Sequence, residues 1–148
     1  MNNTDQHINP KEQLVQVALN DCYMMCYDKA KNRICFTIYG FWKNKECVSD
    51  FITDWQKALS ISKPGFTCIT DMRTMITHPQ ELSSLHIQAY KLLTDAGVKK
   101  VAHVMPTDKI AYLQVHSIYE KSSLPAKAFT NYEQADEWLD FITDTASN

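Results

Sequence analysis

Phe66-Thr67-Cys68-Ile69-Thr70-Asp71 is a short apolar run of the kind a buried strand takes, and the irregular stretch Met72 to His78 separates it from an amphipathic segment opening at Pro79. A strand, a polar loop and a helix N-terminus in that order make the place where α/β domains usually hold what they bind. The turn signature Lys63-Pro64-Gly65 stands just before the strand and marks its start. The segment after it reads as a helix with both ends marked: Thr77-His78-Pro79-Gln80 as a capping box and Gly97 as a left-handed stop. Its apolar stripe is Leu82, Leu85, Ala89, Leu92, Leu93 and Ala96.

Upstream, Val48, Phe51, Ile52, Trp55, Ala58 and Leu59 follow helical spacing, with Asn44 as the expected cap. Before that helix, two runs of alternating side chains, Cys22 to Tyr27 and Arg33 to Trp42, flank a polar loop and predict an antiparallel hairpin. Gly40 interrupts the second run, where a bulge or a close backbone contact would explain it. Downstream, Val101 to Met105 predicts a strand, Thr107 the cap of a third helix reaching about Lys121, and Ala126 to Phe129 a last short strand. The third helix divides its apolar residues between Ala111, Val115, Ile118 and the pair Ile110, Leu113. Thr130-Asn131-Tyr132-Glu133 then opens a closing helix bearing Ala135, Trp138, Leu139 and Ile142.

The expected fold class is α/β: a mixed, mostly parallel five-stranded sheet in the order β-β-α-β-α-β-α-β-α, with an N-terminal hairpin and helices mainly on one face. Residues 1–20 form an N-terminal segment, with Asn9-Pro10 as the start of a short helix or the segment supplying an extra edge strand; residues 21–142 form the domain and 143–148 a polar tail. If consecutive strands are neighbours, the opposite face carries Thr37, Tyr39, Thr67, Tyr23 and Tyr27. Such a surface suits a homodimer contact or water.

Composition narrows the function. With 148 residues, 45% hydrophobic and 22% charged, the chain is the size and make-up of one globular domain. Three glycines leave no material for a phosphate-cradling loop, and a formal charge of -2 with scattered cations argues against nucleic acid. The sequence holds no apolar run of membrane-spanning length and no signal-peptide pattern, so the expected location is the cytoplasm. Cys22, Cys26, Cys35, Cys47 and Cys68 lack CxxC spacing and read as small hydrophobes in a reducing compartment, without a four-ligand zinc set. The sequence contains no H-E-x-x-H, P-loop, GxGxxG or Gly-x-Ser-x-Gly motif, so neither cofactor nor nucleophile is implied.

The hairpin Cys22 to Trp42, the strand end Ile69-Thr70-Asp71, the strand Val101 to Met105 and the helix Tyr132 to Leu139 together resemble the STAS, or SpoIIAA-like, domain family. That family is known from bacterial anti-sigma-factor antagonists and sulfate-transporter tails, and its small bacterial members have a fold related to CRAL-TRIO lipid-binding domains. The resemblance implies a non-enzymatic regulatory or protein-interaction module whose partner is a protein or a second copy of the chain. Antagonists of this kind carry a phosphorylated serine after the central strand. Here the stretch reads Thr74-Met75-Ile76-Thr77-His78-Pro79-Gln80, so Thr77 is the only hydroxyl placed to stand in for it.

The candidate binding residues are Asp71, Arg73, Thr77 and His78 after the central strand and Thr107, Asp108 and Lys109 after the next, a set able to hold an anion near two helix N-termini. Asp71 pairing with Arg73 is the structural alternative. A small apolar-ligand binder of CRAL-TRIO type and an enzyme using Asp71, Arg73 and His78 are the other two functional readings.

Overall fold

One six-stranded sheet runs through the chain in the spatial order β1-β2-β3-β4-β5-β6, the same as the order in sequence. The computed structural model describes residues 13–147, so the expected helix cap at Asn9-Pro10 lies outside the described residues. The strands are β1 (Leu14–Leu19), β2 (Tyr23–Asp28), β3 (Arg33–Ile38), β4 (Thr67–Asp71), β5 (Lys100–Val104) and β6 (Ala126–Phe129). The helices are α1 (Phe51–Ile61), α2 (Ser83–Asp95), α3 (Lys109–Lys121) and α4 (Tyr132–Ser147). β1 to β3 pair antiparallel, and β3 to β6 pair parallel, with β4 between β3 and β5. Among the described residues the count is therefore six strands, not five. Leu14 to Leu19 supplies the edge strand, and a helix there is ruled out.

Cross-strand partners share a face, which sorts the core into two layers. Tyr23, Met25 and Tyr27 of β2 stand opposite Ile38, Phe36 and Ile34 of β3 and pack with α1 through Phe51, Trp55 and Ala58. Tyr23 and Tyr27 thus face the helices, contrary to expectation, and the homodimer reading loses two of its three tyrosines. The Tyr23 hydroxyl donates to Asp54 Oδ2 at 2.6 Å, so the buried carboxylate is partnered. α2 and α3 cover the same side, adding Ala89, Leu93, Ala111 and Val115 to this core.

α4 packs on the other side. Its Ala135 and Leu139 bury against Ile69, Ala102 and Val104, a second core separate from the first. β4 and β5 are buried on both faces for that reason, which is why they read as continuous apolar runs while β2 and β3 alternate. Only the three crossover helices share a face, and the closing helix departs from the one-sided arrangement.

A buried arginine anchors α4. Arg33 is 1% exposed on β3; its Nε donates to Thr67 Oγ1 at 2.9 Å and its Nη1 to Asp136 at 2.7 Å and Asp140 at 2.9 Å. Lys31 reaches the same two carboxylates. Burial pushes the Asp140 carboxyl up, but the Arg33 and Lys31 hydrogen bonds and charges outweigh it and hold it below its ordinary value. Asp136 and Asp140, one turn apart on α4, are thereby fixed to the start of β3.

Several ends differ from the sequence reading. Asn44 caps a short 3-10 turn, Lys45–Val48, instead of α1 itself. Asp108, not Thr107, caps α3 by accepting from Ala111 N at 2.9 Å, and Asn131 accepts from Gln134 N at the start of α4. β3 ends at Ile38, before Gly40. Gly40 has φ +53, so the interruption is a left-handed turn that takes the chain off the sheet.

Replacing Arg33 with Met is expected to lower the unfolding free energy by about 2 kcal/mol, since two half-exposed carboxylates and Thr67 lose their donor. Urea denaturation of the variant checks this, and an unchanged midpoint would show that α4 docks without the clamp.

Candidate functional site

The chain leaves β3, β4 and β5 at the same edge of the sheet, and three irregular segments meet there. Hydrogen bonds stitch them together in series. Thr74 Oγ1 donates to the Ile38 carbonyl at 3.0 Å, and Ile76 N to the Gly40 carbonyl at 3.0 Å, joining the segments after β3 and β4. Met72 N donates to Val104 O, while Thr107 donates through both N and Oγ1 to Arg73 O, joining the segments after β4 and β5. Gln114 on α3 accepts from His78 N and donates to His78 O, a two-point clasp on the same loop.

Each sequence-predicted residue has a place in this edge. Asp71 and Arg73 form a bidentate pair, Nε to Oδ1 at 2.9 Å and Nη2 to Oδ2 at 2.8 Å, and the Arg73 guanidinium lies 5.5 Å from the Tyr132 ring centre. Arg73 N also donates to the Asp71 carboxylate, so the carboxylate is consumed within its own turn. Thr107 and Asp108 serve as a loop tie and a helix cap, and Lys109 opens α3 exposed. Thr77 does not cap α2. A 3-10 turn at Gln80–Leu82 intervenes, Pro79 precedes it, and the Thr77 hydroxyl makes no hydrogen bond with the protein. No hydrogen bond or ion pair joins His78 to Asp71 or Arg73. The three residues of the enzymatic reading are not brought together.

His78 instead belongs to the core. Its ring stacks on Trp42 at 4.4 Å and on His86 at 5.5 Å, and His86 Nε2 lies 3.4 Å from His78 Nδ1. Trp42 is itself fixed, donating from its indole to the Cys22 carbonyl at 2.8 Å. His103, on β5, faces Thr70 Oγ1 at 2.6 Å through Nδ1 and stacks beside Tyr90. Burial holds all three imidazoles well below the ordinary range. His78 is lowered to about 4, with the Gly40 carbonyl offsetting part of the effect; His86 is lowered to about 3 by burial and by His78 and His103; His103 is lowered to about 4. Neutral rings of this kind pack as aromatic residues. His86 shares helical spacing with Leu82, Ala89 and Leu93, and that was the signal for its burial in the sequence.

The edge exposes apolar side chains that sequence reasoning did not assign to function. Phe41 is 54% exposed and Ile76 49% on the segments after β3 and β4, and Ile110 is 66% and Leu113 65% exposed on the first turns of α3, which follows the segment after β5. Beside them Pro106, Thr107, Lys109, Tyr112 and Leu113 line a shallow depression of about 290 Å³. Ile110 and Leu113 fall off the Ala111-Val115-Ile118 stripe, which is the sequence signal for their exposure. Among the described residues, no group of His, Cys, Asp and Glu is placed to hold a metal ion, and no helix is long and apolar enough to cross a membrane. The five cysteines are free thiols.

No protein-family model matches the sequence, and no curated protein matches it. In fold the chain is similar to an uncharacterised DUF3478-family protein of Shewanella loihica with a SpoIIAA-like fold, at a TM-score of 0.55 and 14% identity over 82% of this chain and 97% of that one. It is also similar to SiaC of Pseudomonas aeruginosa, at a TM-score of 0.52 and 12% identity over 78% and 98% of the two chains. SiaC solved in complex with diguanylate cyclase SiaD, of which it is the activator, aligns at a TM-score of 0.50 and 14% identity over 77% and 97%. The fold is SpoIIAA-like, as the element order implies.

The buried rings set a pH dependence. In the unfolded chain a histidine titrates near 6.5, above the folded values of about 4, 3 and 4, so the unfolded state binds more protons as pH falls below that point. Stability is therefore full above pH ~6.5 and declines toward pH ~4, each ring contributing up to about 1.4 kcal/mol per pH unit. Urea titrations at neutral pH and near pH 5 measure the decline. Ring carbon shifts in NMR should remain those of neutral imidazole at pH 5; charged rings at that pH would contradict the assignment.

Proposed function

We propose that this SpoIIAA-like domain is a non-enzymatic regulatory module that acts by docking a protein partner against the carboxyl edge of its sheet. The observation that carries the reading is the contrast within that edge. Asp71, Arg73, Thr107 and Asp108 are committed to one another and to the backbone, while Phe41, Ile76, Ile110 and Leu113 stand in solvent. Committed polar groups have nothing left for acid-base work, whereas exposed apolar residues on a hydrogen-bonded frame are what a protein interface requires.

The fold neighbours support a partner of a particular kind. SiaC is the activator of a diguanylate cyclase and is bound to it. A signalling enzyme is accordingly the partner class we assign, with the present chain as its regulatory subunit. Because Thr77 stands upstream of the 3-10 turn and does not cap α2, a phosphate on it would not gain the helix N-terminus, and regulation by Thr77 phosphorylation is not part of this reading.

Capture of partner proteins by the tagged chain, followed by reconstitution from purified components, tests the proposal. The double variant Ile110→Asp, Leu113→Asp should keep the wild-type unfolding midpoint within a few degrees, because both side chains are exposed. It should weaken the reconstituted complex by about a hundredfold, as loss of two central apolar anchors does. A complex that survives the double variant unchanged, or a chain that forms no complex and stays a monomer in ultracentrifugation, would overturn it.

A further inference from the structure

The five thiols are not equivalent. Cys22 is buried just before β2, in the core cluster that also holds Trp42 and Val48. Its carbonyl accepts from Tyr39 N and from the Trp42 indole, each at 2.8 Å, so the segment leaving β3 is fastened across it. That segment continues into the 3-10 turn Lys45–Val48, where the Asn44 side chain accepts from Cys47 N at 3.2 Å and Cys47 is exposed. The turn brings the Cys47 thiol into hydrogen-bond contact with the Cys22 thiol. We propose that Cys22 and Cys47 are a reversible thiol–disulfide pair, whose oxidation ties the segment leaving β3 to the start of β2.

No other two cysteines are so placed. Cys26 and Cys35 stand directly opposite in the β2–β3 ladder. Residues paired in that way keep their Cβ atoms about 4.5 to 5.5 Å apart, whereas a disulfide draws them to about 3.8 Å, so the sheet itself would have to deform. Burial also pushes the Cys35 thiol up to about 12. Cys68 is wholly buried on β4. Cys47, by contrast, lies on a short turn outside the sheet, where a small closing movement disturbs no ladder bond.

Access to the two sulfurs sets the order of the chemistry. Burial raises the Cys22 thiol above its ordinary value, and the neighbouring Cys47 and Asp21 add to the effect, so the exposed Cys47 reacts first. With a small-molecule disulfide as the oxidant, the Cys47 thiolate attacks one of its sulfurs; that S–S bond breaks, one thiolate leaves, and a mixed disulfide remains on Cys47. Cys22 then loses its proton to the medium, and its sulfur attacks that of Cys47 and expels the second thiolate. The two electrons given up by the protein sulfurs reduce the small disulfide to two thiols. The ring so closed, residues 22–47, contains β2, β3, the Gly40 turn and Phe41. Bond formation makes no use of a partner and holds whether or not the carboxyl edge docks one.

Incubation of the full chain with oxidised glutathione, followed by thiol counting and peptide mapping, tests the assignment. Two of the five thiols should be lost, with Cys22 linked to Cys47, and dithiothreitol should restore both. The oxidised chain should unfold about 5 to 10 °C above the reduced one. Cys47→Ser, at an exposed position, should prevent both the link and the rise in midpoint, while Cys26→Ala should still form the link. A mixed disulfide that persists on Cys47, a Cys26–Cys35 link, a dimer joined through Cys47, or a midpoint unchanged by oxidation would each overturn the proposal. The Ile110→Asp, Leu113→Asp variant should oxidise as the wild type does, so failure of the thiol pair and failure of the docking edge give different results.

Discussion

Main-chain hydrogen bonds outside the sheet hold the carboxyl edge together, and the functional reading depends on them. Each parallel strand ends in a segment with no ladder partner of its own, and buried or half-buried backbone groups must find partners or incur a cost of about 1 to 3 kcal/mol each. Here the segments satisfy one another: Ile76 bonds to Gly40, Met72 to Val104 and Thr107 to Arg73. The result is irregular backbone with the fixity of regular structure. Gly40 makes it possible, because the left-handed turn at φ +53 brings its carbonyl to the β4 side.

That fixity assigns different work to polar and apolar side chains. Four of the ionisable residues at this edge are structural parts: a bidentate Asp71–Arg73 pair, an Asp108 cap and a histidine stacked on Trp42. Apolar residues displaced from the helical stripe are left in water, where a rigid frame lowers the entropy lost on association. On the far side of the sheet the same economy appears in α4, which covers β4 and β5 with Ala135 and Leu139, flanked by the half-buried Tyr132 and Trp138, and uses Arg33 to fix its register.

Much of this was legible in the sequence, and the parts that were not have physical reasons. Spacing located all four helices and the five strands from Tyr23 onward, because apolar periodicity and turn residues act locally. Leu14 to Leu19 alternates weakly, with exposed leucines at both ends and a register shift between Gln16 and Ala18, so its pattern did not separate an edge strand from a helix. The side chosen by α4 is decided by long-range contacts. Even so, the unbroken burial of β4 and β5 is the trace that two covered faces leave in a sequence. At the site, Asp71 with Arg73 was readable as a neighbouring pair. The stack of Trp42, His78 and His86 was not, since it joins three elements that only the tertiary fold brings together.

Amide hydrogen exchange at the carboxyl edge tests the central claim most directly. Ile76 N and Thr107 N lie outside every strand and helix, and Thr107 is exposed. If the stitched edge is a preformed frame, both amides should exchange with protection approaching that of the β4 amides. Exchange at the rates of an unstructured peptide would show that the three segments move independently, and the edge would then have no fixed surface to offer a partner.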